Sequence, residues 1–453
     1  MPGPDLMPDG DSFPLIDRCP DETLAFSAHG VVRVAQFLEQ ATALARGLPG
    51  HRYVINLLTD RYEYLLGFCA ATLAGQCTLM PPNRLPLTLE RLKHDYPDCH
   101  VLGEDGRPLD CPPGPAGTAL VGTPEIAADQ LCAVAFTSGS TGSPKANAKY
   151  WRTLRVGSKC NADLLLDRSV ERLNLLATVP PQHMWGMEMS VLLPLFAQTA
   201  VSHRTPFFPR DIADALAALP EPRALISSPV HLEALVKSGV TLAKVSGIFT
   251  ATAPLSAELA DALEERFDTT VTDVFGCSET GVLAARRTTH DANWRLSDGF
   301  RMVTGPDGTV VHGGHLPDAV MIPDIIEMVT GNEFRWLGRH QDMINIAGKR
   351  GSLAELNERL HAMPGVTDGV IFMPENGDRL AAMVVAPGLS AAEIRHYLCS
   401  RVEAVFLPRP IRMVAGLPRQ ETGKLARNAV LELFERLSRA RKPTDASPPG
   451  SGT

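Results

Sequence analysis

Between residues 31 and 250, short apolar runs alternate with segments of helical periodicity, and no other feature of the sequence narrows the fold as much. Apolar residues recur at helical spacing from Val31 to Leu48, through Val32, Val34, Phe37, Leu38, Ala41 and Leu44. Tyr53-Val-Ile-Asn-Leu-Leu reads as a short buried strand, the stretch near Tyr62–Leu73 as a helix, and Gly75-Gln-Cys-Thr-Leu-Met as a second strand. Strand, helix, strand in that order implies a parallel sheet with crossover helices. The rhythm continues through Ala133–Phe136, Leu173–Val179, Ala224–Ser227 and Val245–Phe249, with a helix near Ile212–Ala218. An all-α or all-β chain would not alternate in this way, so the expected class is α/β.

The pattern changes near residue 340. A compact α+β segment follows, with a helix at Ala354–Met363, strands at Gly369–Met373 and Leu380–Val385, and a helix at Ala391–Val405. At 453 residues the chain has room for two or three domains. Residues 1–20 read as a ragged leader, and the Pro-, Ser- and Gly-rich tail from Lys442 as disordered.

Composition removes several functional classes. Hydrophobic residues make up 44% and charged residues 21%, so a mostly disordered chain is excluded. The net charge of −8 lacks the basic footprint of a nucleic-acid binder. The longest weakly polar stretch, Tyr64–Gly75, is too short to span a bilayer, which needs about 20 residues. Nine irregularly spaced cysteines, with no CxxC pair, fit a reduced cytoplasmic protein without a disulfide framework or structural zinc. The acidic, Pro- and Gly-rich N-terminus does not read as a secretory signal.

The most informative segment is Ala133-Val-Ala-Phe-Thr137-Ser138-Gly139-Ser140-Thr141-Gly142-Ser143-Pro144-Lys145. An apolar strand enters a loop of small and hydroxylated residues that ends in Lys. Small residues let backbone N–H groups approach an anion, hydroxyls add donors, and the Lys adds charge. A flexible Ser/Gly surface turn is the plainer reading. The loop is not a Walker A motif, since Pro144 and Ala146 stand where Gly and Ser or Thr are required. It is not an SxxK acylation motif either, because Gly142 stands in the Ser position, and no GxSxG elbow surrounds Ser278.

Thr137–Lys145 resembles the phosphate-binding signature of the adenylate-forming superfamily, which includes acyl- and aryl-CoA synthetases, luciferases and stand-alone adenylation domains. Further segments match in order over nearly the whole chain. Val274-Phe275-Gly276-Cys277-Ser278-Glu279-Thr280 is similar to the aromatic-Gly-x-Thr-Glu motif, with Ser278 in place of Thr. Asp324 precedes Arg339 at the family's spacing. Gly348-Lys349-Arg350, with Glu355, resembles the segment that opens the small C-terminal domain. Pro418-Arg-Gln-Glu-Thr-Gly423-Lys424-Leu-Ala-Arg427 resembles the terminal Pro-x4-Gly-Lys-x2-Arg motif.

The resemblance implies a role for each matched residue. Thr137, Ser138, Gly139, Ser140, Thr141, Gly142 and Lys145 would cradle the phosphates of ATP. Phe275 would stack on adenine beside Gly276, Ser278 would meet phosphate, and Glu279 would hold Mg2+, a hard cation that suits a carboxylate oxygen. Asp324 would bind the ribose hydroxyls, and Arg339 would reach ribose or phosphate. Lys424 would enter the site for adenylation only, where its charge stabilises the transition state. The hinge falls at Gln341, where the family often has Asp or Lys. This gives an N-terminal AMP-binding domain over 1–340, a mobile lid over 341–441 and a tail over 442–453.

Pro181-Gln182-His183-Met184-Trp185-Gly186 resembles the family's Pro-x-x-His-x-x-Gly gate beside the acyl pocket. A packed core histidine is the plainer reading of His183. Met184 and Trp185 follow it, where amino-acid-activating relatives usually carry Asp, so an α-amino acid substrate is disfavoured. The resemblance draws other walls from Ser228, Thr250, Ala251 and Cys277. Small or apolar walls suit an uncharged body, and Trp185 tilts the expectation towards an aromatic acid.

Three departures stand out. Thr250-Ala251-Thr252-Ala253-Pro254 replaces a Gly-Gly-Ala stretch, the segment between Glu279 and Asp324 is short, and Trp151 replaces a common His. The trimmed region resembles ligases of aryl-polyene and other polyketide pathways. The expected activity is ATP- and Mg2+-dependent formation of an acyl-adenylate from a small carboxylic acid, followed by thioester formation with CoA. The alternative acceptor is the phosphopantetheine of an acyl carrier protein.

Overall fold

The computed structural model describes residues 11–104, 109, 122–137, 145–166, 172–305, 308–339, 342–346, 349–374, 377, 379–419 and 425–439. The chain divides into two compact units. The larger comprises Met1–Ile322 with Ile326–Trp336, and the smaller Pro323–Ile325 with Leu337–Thr453.

The larger unit is built on two main sheets. In one, strands Cys99–Leu102, Tyr53–Asn56, Cys77–Met80 and Leu131–Thr137 lie side by side and parallel, and Lys145–Tyr150 closes the edge antiparallel. The other contains a parallel block of Val271–Cys277, Gly247–Thr250, Arg223–Ser227, Leu173–Ala177, Thr199–Ser202 and Thr23–Ser27, flanked by antiparallel strands. Both faces of a parallel sheet are covered, so its strands read as continuous apolar runs. Leu173–Ala177 and Arg223–Ser227 are buried at every position.

The helix Arg61–Leu73 is buried on nearly all sides, which explains its lack of a polar face. Asp60 caps it, its carboxylate accepting the Glu63 N–H. Arg61, fully buried, donates to the Ser190 hydroxyl and to the carbonyls of Ala177 and Val179, both at 2.8 Å. It therefore anchors the chain just before His183.

The smaller unit carries its own core. Strands Asp368–Phe372, Ala381–Val385 and Ile411–Met413 form a sheet that packs with helices Leu353–His361 and Ala391–Cys399. Ser390 and Glu393 form a reciprocal capping box on the second helix. Glu355 lies in the first turn of the first helix, its N–H capped by the Ser352 hydroxyl.

Three sequence expectations change. Ser12–Pro14 is a strand paired with Glu125–Ala127, and Leu15 and Ile16 are buried, so the end of the expected leader is part of the core. The first long helix starts at Val34, not Val31, because Gly30–Arg33 pairs with Thr23–Ser27. The helix expected over Ala391–Val405 ends at Cys399, and a 3-10 turn follows at Ala404–Phe406. The tail from Lys442 lies outside the described residues.

The cysteines among the described residues are free thiols. Cys19 and Cys399 are exposed, while burial pushes the Cys77 and Cys132 thiols up to about 12. Among the described residues, no helix is long and apolar enough to cross a membrane.

Candidate functional site

The segment expected to bind phosphate connects the two strands of a hairpin. Leu131–Thr137 and Lys145–Tyr150 run antiparallel, and Thr137 stands opposite Lys145, so the ends of the loop are fixed by the sheet. Lys145 is exposed. Ser138, Gly139, Ser140, Thr141 and Gly142 lie outside the described residues.

Ser278, Glu279 and Thr280 form the turn between strands Val271–Cys277 and Gly281–Arg286. The ladder shifts register between Phe275 and Gly276. A Cβ on Gly276 would lie 2.3 Å from the Gly281 carbonyl oxygen, so only glycine fits. Phe275 is half-buried, its ring 5.5 Å from each of Trp294 and Phe334. Ser278 and Glu279 are half-buried. Burial pushes the Cys277 thiol up to about 11, which keeps it protonated.

The backbone after Cys277 is held by side chains from elsewhere in the larger unit. Lys149, on the strand that leaves the expected phosphate loop, donates its ammonium to the Glu279 carbonyl at 3.0 Å. His315 Nε2 lies 2.6 Å from the Thr280 carbonyl, which can only accept. Glu188 Oε1 accepts the Val282 N–H at 3.0 Å and the Asn161 amide at 3.2 Å. The sequence reading missed all four of these residues. Glu188 had left a signal, a lone acid inside the apolar run Met184–Leu193.

The expected gate is a tight turn. His183 is half-buried and precedes the short helix Met184–Met187, which continues into a π-helical turn at Glu188–Leu192. A Cβ on Gly186 would lie 2.0 Å from the Pro180 carbonyl oxygen, which accounts for the glycine of the motif. Trp185 is buried, and its indole N–H donates to the Ser227 carbonyl at 3.0 Å.

Ser228 is fully buried, and its hydroxyl lies 3.1 Å from His231 Nδ1. The Thr178 hydroxyl lies 3.3 Å from the same nitrogen. Burial lowers the His231 pKa and favours the neutral ring. Thr250 is fully buried with its hydroxyl unpartnered, and Ala251 is buried. Thr252 adopts φ +84°, a conformation that a β-branched residue rarely takes, where the resembled motif carries glycine.

In the smaller unit, Asp324 is buried, and Arg339 ends the strand Glu333–Arg339. Gln341 and Lys424 lie outside the described residues.

The residues present suit a magnesium ion. Mg2+ keeps several waters and takes one or two carboxylates beside substrate phosphates, so it needs no protein cage. Glu279 offers one carboxylate on a pinned turn. Among the described residues, no three His, Cys, Asp or Glu side chains group to form a cage of their own.

Comparison with known proteins agrees with this geometry. Residues 90–305 match the family model described as AMP-binding enzyme. The 4-coumarate–CoA ligase of Cereibacter sphaeroides is 28% identical over 318 residues, covering 64% of this chain and 69% of that one. The 3,4-dihydroxybenzoate–[aryl-carrier protein] ligase of Bacillus anthracis is 22% identical over 324 residues, covering 68% and 75%. ATP-bound MatB from Rhodopseudomonas palustris shares the fold, with a TM-score of 0.80 at 20% identity over 93% of this chain and 98% of its own. The chain belongs to the AMP-binding, adenylate-forming superfamily. Its relatives there are named as CoA ligases and as aryl-carrier-protein ligases, and it is an AMP-forming acid–thiol ligase of that group.

Proposed function

We propose that the protein activates a carboxylic acid, preferably an aromatic one, and passes the acyl group to CoA. A carboxylate oxygen attacks the α-phosphorus of ATP and pyrophosphate leaves. The thiol then attacks the acyl carbonyl carbon of the acyl-adenylate and AMP leaves. Positioning and charge neutralisation carry the first step, since little acid–base chemistry is needed. Bound at Glu279, Mg2+ would neutralise phosphate charge.

One observation carries the reading. Two motifs far apart in sequence meet, because the strand leaving the Thr137–Lys145 loop supplies the ammonium that grips Glu279. A phosphate loop and a metal-binding carboxylate have to be neighbours for ATP chemistry. Phe275, Ser278, Asp324 and Arg339 take the adenine, phosphate and ribose roles that the motifs imply, and His183 the gate. Lys424 serves adenylation. Gln341 is the hinge between a domain over 1–340 and a lid over 341–441.

Trp185, Ser228, Thr250 and Ala251 are buried and uncharged, which supports an uncharged, compact acid. The names of two relatives, for 4-coumarate and 3,4-dihydroxybenzoate, support an aromatic one. The second of these is a carrier-protein ligase, and it favours an acyl carrier protein as the alternative acceptor. The free thiols fit a cytoplasmic setting.

Pyrophosphate exchange across a panel of aryl and acyl acids tests the first step. Exchange with at least one aryl acid is expected, and none with any acid would overturn the reading. Mass measurement after incubation with CoA, or with a phosphopantetheinylated carrier protein, separates the two acceptors.

A further inference from the structure

We propose that Lys149, Glu188 and His315 are positioning residues for Glu279, forming a buried polar cradle that fixes the metal-binding turn against the strand leaving the phosphate loop. The proposal rests on the reading of Glu279 as the magnesium-holding carboxylate.

The cradle takes hold of successive backbone groups. Lys149 binds the Glu279 carbonyl, His315 the Thr280 carbonyl, and Glu188 the Val282 N–H. Between them Gly281 has φ +70°, and a Cβ there would lie 2.6 Å from Glu188 Oε1 and 3.4 Å from His315 Nε2. The turn is therefore gripped from one face, with space for glycine alone at its centre.

The grip is tight. Lys149, Glu188 and His315 are each less than a tenth exposed, at 4%, 6% and 9%. The void they line with Ser158 and Gly281 is only about 10 Å3. Asn161 braces Glu188 from the neighbouring helix Trp151–Leu165, and the π-helical turn begins at Glu188 itself.

Using charges for this purpose is expensive. Burying an ammonium and a carboxylate carries a large desolvation penalty, and well-packed apolar residues often stabilise a fold as well or better. Hydroxyls or amides could satisfy the same backbone groups. What the Lys149 ammonium adds is a charge-assisted hydrogen bond, 3.0 Å long, with a defined direction to the carbonyl of Glu279. Lys149 also lies four residues beyond Lys145 on one strand, so any shift of the phosphate-loop hairpin moves the Glu279 turn with it. Phosphate and metal would thus be held in one frame, which in-line displacement at phosphorus requires.

Calorimetric titration with ATP, in Mg2+ and separately in EDTA, tests the proposal on the full-length protein. Lys149→Met is expected to weaken ATP binding in Mg2+ about tenfold and to leave binding in EDTA within about twofold. Glu279→Gln is the reference and is expected to show the same split. If Glu279→Gln splits the two conditions and Lys149→Met does not, the cradle has no positioning role and the proposal fails alone. If Glu279→Gln shows no split, the metal reading of Glu279 fails and takes the proposal with it. Should Lys149→Met not fold, His315→Ala, which releases the Thr280 carbonyl, carries the same expectation and the same overturning result.

Discussion

The indole N–H of Trp185 donates to the backbone carbonyl of Ser227 at 3.0 Å, joining the gate to the strand that leads into Ser228. One wall of the proposed acid pocket is thereby fixed by the other. Trp185→Phe leaves the buried Ser227 carbonyl without this donor and is expected to cost about 1–3 kcal/mol of stability. Urea denaturation measures that cost. In steady-state kinetics the KM for the acid is expected to rise while the KM for ATP stays unchanged. An equal rise in both would remove Trp185 from the pocket.

Arg61 is the deepest support of the gate. Replacing it with Met leaves the Ala177 and Val179 carbonyls buried and unpaired. A loss of about 3 kcal/mol or more is expected, because each unsatisfied buried group costs about 1–3 kcal/mol. The midpoint of chemical unfolding reads it directly, and a loss below 1 kcal/mol would show that the loop finds other donors.

Thr252 holds a left-handed backbone with a branched side chain. Relief of that strain by Thr252→Gly is expected to raise the unfolding free energy by about 1 kcal/mol, after the entropy glycine adds to the unfolded chain. A lowered denaturation midpoint would mean that side-chain contacts of Thr252 outweigh the strain.

His231 gives a pH dependence of known sign. The groups it touches, the Ser228 and Thr178 hydroxyls and the Phe207 ring, carry no charge. Burial depresses its folded-state pKa below the unfolded value of about 6.5. Below that pH the unfolded chain binds a proton that the folded chain resists, so the contribution of the neutral ring is full above about 6.5 and is lost as pH falls. The stability lost between pH 7 and pH 5 is expected to be smaller in His231→Gln than in the parent protein.

Lys424→Ala is expected to lower pyrophosphate exchange by about 100-fold or more, the scale of losing one transition-state charge partner. Thioester formation from a supplied acyl-adenylate should remain largely intact. Equal loss of both half-reactions would sink the alternating-lid reading.

The parallel core was legible because a strand covered on both faces is apolar throughout, as Leu173–Ala177 is. Lys145–Tyr150 was not, since Lys-Ala-Asn-Ala-Lys-Tyr has no strong strand preference and becomes a strand by pairing with Leu131–Thr137. Motif residues such as Glu279 and Gly186 were readable as local patterns. Lys149 and His315 were not, because each acts on a carbonyl more than thirty residues away, and no local spacing encodes that contact.

The free thiols have a practical consequence. Among the described residues, Cys19 and Cys399 are the exposed ones, and they fall on different compact units. A donor and an acceptor dye attached there, with Cys111 replaced by Ser, would place one reporter on each unit. Energy transfer between them could then follow the two half-reactions in real time, with labels on cysteines that the chain already carries.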